Sequence, residues 1–147
     1  MWLELKGKLA VKDRIFKWNP SLNSICSLCG HCTENIDYLF FVCSFSCQVW
    51  RKVLHNCNIN RELFTWLREV SYFTKKVAGK SILARTRRTA LLASVYHVWM
   101  ERNQATFQIS TPCVNRVVNN IRDAIIDRVI CNTKNINPNI IANWGRV

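Results

Sequence analysis

Residues Cys26–Trp50, CSLCGHCTENIDYLFFVCSFSCQVW, hold five of the chain's eight cysteines beside its densest run of aromatics. Cys26 and Cys29 form a C-x2-C pair followed at once by Gly30. Two residues between thiolates is the spacing at which a tight turn aims both sulfurs at one metal ion, and glycine permits that turn. Cys43 and Cys47 stand four apart in a segment that reads as helix, so both can project from one face. The order C-x2-C-x13-C-x3-C falls within the ligand range of one structural zinc ion held by Cys26, Cys29, Cys43 and Cys47. The fourth ligand is open: Cys47 comes first for its offset from Cys43, ahead of His31 and Cys32, which crowd Cys29. Cys57, Cys113 and Cys131 have no metal spacing and read as small buried hydrophobes. Tyr38 reads as a core aromatic.

Outward from this stretch the pattern is helical throughout. Leu9 to Trp18 predicts a short basic helix, ended by Asn19-Pro20-Ser21 because proline disfavours helix in the residue before it. A short helix is expected between Glu34 and Val42, and another from Ser44 to about Asn56 with Phe45, Val49, Trp50, Val53 and Leu54 on one stripe. A further helix is expected over residues 61–73 on a stripe of Leu63, Trp66, Leu67 and Val70. Beyond a basic connector, Lys75 to Lys80, a long helix is predicted over residues 81–108, burying Leu92, Val95, Tyr96 and Trp99. Thr111 and Pro112 suit the cap and first turn of a last helix faced by Val114, Val117, Val118, Ile121, Ile125 and Val129. The fold class is therefore all-α: a small zinc-knuckle-like site in a helical domain, followed by two longer packed helices. The divisions are 1–74, a helical extension over 75–133, and an irregular tail over 134–147.

The same residues carry a resemblance. Glu34, Leu39, Phe40, Phe41, Cys43, Phe45, Ser46 and Trp50, with Cys26 and Cys29 before them, resemble the zinc-binding domain at the C-terminal end of plant LINE-type (non-LTR retrotransposon) reverse transcriptases. Upstream, Lys8-Leu9 and Lys12-Asp13-Arg14-Ile15 resemble that family's entry segment. Downstream, the run Tyr96 to Asn103 with Phe107 resembles the "Y-x-x-W-x-E-R-N" helix that follows it. The resemblance runs from about Leu3 to Phe107 and implies a zinc-binding, non-catalytic accessory domain. Two positions depart from the pattern: Tyr38 stands where the family has a histidine ligand, and Val11 where it has a helix-capping threonine. Met1 falls inside the family's leading segment, so the resemblance implies a truncated front. An apolar face left uncovered there would favour self-association.

Composition narrows the function classes. With 21 Lys+Arg against 9 Asp+Glu, the formal charge of +12 favours polyanionic partners. One basic cluster is Lys6, Lys8, Lys12, Arg14 and Lys17, interleaved with Phe16 and Trp18; the other runs from Lys75 and Lys76 through Lys80 to Arg85, Arg87 and Arg88. Lys8, Lys12, Arg14, Lys17, Arg85, Arg87 and Arg88 are the predicted contacts to RNA or single-stranded DNA, of low sequence specificity because phosphates position a protein without reading bases. Catalytic motifs are missing: no Gly-rich phosphate loop, no nucleophile motif, and no paired aspartates of the kind a polymerase needs for two metal ions. No small-molecule substrate is expected. The absence of a long apolar run or a signal-peptide pattern predicts an intracellular protein of nucleus or cytoplasm, neither membrane-bound nor secreted, with reduced thiols. The alternative function is a metal-free, decayed helical remnant or interaction module.

Overall fold

The structure, a computed structural model, describes residues 9–132, 134 and 137–145. Among these the chain is helical, with no β-pairing beyond one bridge between Ile25 and Thr33. The α-helices are α1 (Lys12–Trp18), α2 (Ser44–Asn56), α3 (Trp66–Ser71), α4 (Ile82–Phe107), α5 (Val114–Ile125) and α6 (Pro138–Gly145). Wider π-helical turns lie at Tyr38–Val42, Tyr72–Lys76 and Ile126–Ile130.

Helix α2 has the bounds its apolar stripe predicts, and it buries Phe45, Val49, Trp50, Val53 and Leu54. The π-helical turn before it buries three consecutive side chains, Leu39, Phe40 and Phe41. They are enclosed by an aromatic cluster: Phe40 lies 5.1 Å from Trp66, Phe41 lies 5.7 Å from Trp50, and Trp50 lies 5.5 Å from Phe73, all between ring centroids. Truncating a buried aromatic such as Trp50 to alanine costs about 3–5 kcal/mol. Helix α5 turns Val117, Ile121 and Ile125 inward against α4 and α2. One apolar core runs from Val11 to Trp144 and crosses the Lys75–Lys80 connector without a break.

Several expected details differ, and buried carboxylates explain most of them. The helix expected over residues 61–73 begins only at Trp66. Glu69, fully buried, accepts from the Arg61 guanidinium and from the Phe64 N–H at 2.9 Å, which draws residues 61–64 into a return loop. Asp37 accepts from the Trp66 N–H at 2.7 Å and so caps α3 from a distant part of the chain. Leu67, assigned to the apolar stripe, is exposed.

On α4 the buried face is rotated from the expected one. It comprises Ala90, Leu91, Ser94, Val95, Val98, Glu101 and Arg102, while Tyr96 is exposed. An apolar-stripe reading cannot anticipate two charged residues on the inward face. They are there because each is paired, as buried charge requires. The cap of α5 is likewise not Thr111: the helix starts at Val114, and the Cys113 N–H before it donates to Glu101 Oε1 at 2.8 Å. The tail, expected to be irregular, contains α6, whose Ile140 and Trp144 are four apart and buried.

Candidate metal centre

The knuckle is built by backbone hydrogen bonds that follow from the C-x2-C-G sequence. The Gly30 N–H donates to the Cys26 carbonyl at 2.8 Å, and Gly30 takes a φ of 71°, which side-chain-bearing residues adopt at a cost. The Cys26 N–H closes the loop on the Cys32 carbonyl at 2.8 Å, beside the Ile25–Thr33 bridge. N–H groups of Cys29 and Leu28 point at the Cys26 sulfur. Cys43 stands immediately before α2, and the N–H groups of Ser46 and Phe45 in the first turn of that helix point at its sulfur. A helix N-terminus favours negative charge, so this position favours the Cys43 thiolate.

The sulfurs of Cys26, Cys29 and Cys43 lie within 4.8 Å of one another. With Zn–S bonds of about 2.3 Å, a tetrahedral site has S···S edges of about 3.8 Å. Cys26 and Cys43 are 3.9 Å apart, so the cluster already has nearly the span the ion requires. Among the described residues no other group of histidine, cysteine and carboxylate atoms converges in this way. The Cys26 thiol donates to Cys43. That hydrogen bond, with burial, holds Cys26 above the ordinary thiol range, and the same bond holds Cys43 below it.

Cys47 does not join the cluster. Its thiol donates to the Phe41 carbonyl at 3.0 Å, and burial pushes its pKa up, so it behaves as a neutral donor closing the end of the π-helical turn. His31 and Cys32 are exposed. Tyr38, read from the sequence as a core aromatic, is partly buried against the core and places its hydroxyl 3.0 Å from the Cys29 sulfur, with Cys32 beside it. Hydrogen bonding to Cys29 is the first cause that keeps this phenol above its ordinary pKa. Bound here, zinc would tie the knuckle of residues 25–33 to the N-terminus of α2.

Residues 1–50 match the family described as zinc-binding in reverse transcriptase. The match spans the knuckle, Tyr38, Cys43 and the first turns of α2, and it ends at Trp50. The three converging sulfurs lie within the matched residues, so the match and the geometry both support a zinc site here. Neither the curated proteins nor the solved structures gave a match.

A second feature of this zinc-binding segment is Glu34, fully buried just beyond the knuckle. Its carboxylate accepts from Arg102 of α4 at 2.6 Å and from the Lys12 N–H at 3.0 Å, and its carbonyl accepts from the Asp13 N–H at 3.1 Å. The last two bonds cap α1, which Val11 cannot do with its own side chain. Both partners of the Glu34–Arg102 pair stand in the motifs that carried the resemblance. Neither motif indicates by spacing that the two meet.

The predicted nucleic-acid contacts divide by environment. Lys8 lies outside the described residues. Lys12 donates its ammonium to the Ile25 carbonyl at 2.5 Å, and burial lowers its pKa. Arg87 donates to the Cys57 carbonyl at 3.1 Å, where α2 ends, and Arg88 to the Val77 carbonyl at 2.7 Å, where the second π-helical turn ends. Cations there satisfy unpaired carbonyls and the negative end of the helix dipole. Arg14, Lys17 and Arg85 are exposed, as are Lys75, Lys76 and Lys80 of the connector. No helix among the described residues is long and apolar enough to cross a membrane.

Proposed function

We propose that this zinc-binding, reverse-transcriptase-associated domain is the non-catalytic accessory part of a plant LINE-type (non-LTR) element protein, and that it holds RNA or single-stranded DNA. The observation that carries the reading is the zinc knuckle set in a chain of charge +12 whose connector cations Lys75, Lys76 and Lys80, and Arg85 in the first turn of α4, are exposed. Three of its nine carboxylates, Glu34, Glu69 and Glu101, are buried and paired with arginine, so they do little to offset the outer charge. The exposed aromatic surfaces of Trp18 and Phe107 are of the kind on which unpaired bases stack. Zinc acts here as a structural cross-link, and the zinc-loaded protein has a fixed front surface to present.

Fluorescence anisotropy with labelled single-stranded RNA, single-stranded DNA and duplex DNA at rising salt is the test. Single strands are expected to bind more tightly than duplex, with affinity falling steeply as salt is added. Affinity for all three no greater than that of an unrelated helical protein of the same charge would end the proposal.

A further inference from the structure

We infer that the Tyr38 hydroxyl oxygen is the fourth zinc donor, completing a site of three cysteine sulfurs and one phenol oxygen. The inference rests on the zinc reading above and adds to it the identity of the last ligand. Three sulfurs within 4.8 Å of one another define three vertices of a tetrahedron and leave one to fill.

None of the sulfur- or nitrogen-bearing alternatives has its ligand atom within the three-sulfur cluster. Cys47 is engaged with the Phe41 carbonyl, His31 is exposed, and Cys32, also exposed, stands beside the Tyr38 hydroxyl. The Tyr38 oxygen, by contrast, is 3.0 Å from Cys29. For Zn–S of about 2.3 Å and Zn–O of about 2.0 Å, a tetrahedral S···O edge is about 3.5 Å, so a shift of roughly half an ångström turns the hydrogen bond into shared coordination.

The backbone that carries the Tyr38 side chain is held at both its N–H and its carbonyl. Tyr38 opens the π-helical turn, its N–H is held by Asn35 Oδ1 at 2.9 Å, and its carbonyl accepts the Cys43 N–H at 2.7 Å. The same turn therefore fixes the backbone of both Tyr38 and Cys43, whose side chains reach the Cys29 and Cys26 sulfurs respectively. On coordination the hydroxyl proton passes to water, as the thiol protons do, because the ion's charge takes its place.

The experiment uses the full chain with zinc and, separately, with cobalt as a spectroscopic substitute. Wild type, Tyr38→Phe, Tyr38→His, Cys32→Ser and Cys47→Ser are titrated against a chelating indicator, with ultraviolet difference spectra recorded alongside. The expected result is one zinc per chain in wild type, with a tyrosinate difference band that grows in step with binding and vanishes in Tyr38→Phe. Tyr38→Phe should bind zinc more weakly by more than the roughly 10–100-fold that follows loss of an outer-sphere partner. Tyr38→His should restore affinity without the band, and the two cysteine variants should match wild type.

One equivalent of zinc bound without a tyrosinate band overturns the inference and leaves the zinc site standing, with water or another thiol in the fourth place. Cobalt spectra with four-thiolate charge-transfer intensity that falls in Cys32→Ser or Cys47→Ser overturn it in favour of that cysteine. Failure of wild type to bind zinc at all overturns both readings together.

Discussion

Glu34 and Arg102, 68 positions apart, form a buried ion pair at 2.6 Å that fastens the end of the zinc knuckle to the C-terminal part of α4. Arg102 also lies 4.8 Å from the Trp99 ring, and Glu34 caps α1. The knuckle, α1 and α4 thus meet at one carboxylate. Removing one partner leaves the other buried and uncompensated, which costs about 3–5 kcal/mol. Glu34→Gln and Arg102→Met are each expected to lower the unfolding free energy measured in urea by that order, and the double substitution by clearly less than the sum. Additive losses in a double-mutant cycle would show that the pair is not coupled.

Removal of zinc should loosen the front of the molecule and spare the back. The knuckle has one β-bridge and a few turn hydrogen bonds, whereas α2, α4 and α5 bury their own apolar faces against one another. A strong chelator is therefore expected to lower the melting temperature and speed amide exchange over residues 25–33, with most of the far-ultraviolet helical signal retained. Cys26→Ser and Cys43→Ser should mimic the chelator and bind well below one zinc per chain. Complete loss of helicity on chelation would mean that the helical core depends on the ion.

The basic residues should separate into two classes. Lys75, Lys76, Lys80 and Arg85 are exposed, and replacing them with glutamine should leave the melting temperature within about 1 °C, since surface substitutions change stability little. Each one that contacts a phosphate should reduce the salt slope of single-strand binding by about 0.7. Arg87→Gln and Arg88→Gln should instead destabilise the fold, because the Cys57 and Val77 carbonyls lose their donors. Equal effects on binding and none on stability across both groups would refute this division.

The sequence disclosed the parts of the fold that depend on periodicity and close spacing. The bounds of α2, the long α4 and the Val117–Ile121–Ile125 face of α5 follow from apolar residues recurring at helical spacing, and the knuckle follows from C-x2-C-G. It could not disclose contacts between distant polar groups. Glu34, Glu69 and Glu101 look like surface carboxylates in a linear reading, yet each is buried against an arginine and one backbone N–H, and these contacts set where α1, α3 and α5 begin. Tyr38 was obscured for a related reason. Its neighbours Leu39, Phe40 and Phe41 are apolar and buried and its own ring packs partly against the same core, so the linear pattern does not show that its hydroxyl lies beside the Cys29 sulfur.

Stability should fall in mild acid through His97. The imidazole is half-buried on α4, and burial first, then the charge of Arg128, lowers its pKa below the ordinary 6.5, with Asp123 opposing. The folded state therefore binds this proton less readily than the unfolded state does. Its contribution is fully present above the unfolded value and is lost as pH falls through the depressed folded one. His97→Gln is expected to flatten the decline in urea midpoint between about pH 7 and pH 5 without altering zinc stoichiometry, the window in which an ordinary histidine changes charge. An unchanged decline in the variant would place the acid sensitivity at another group.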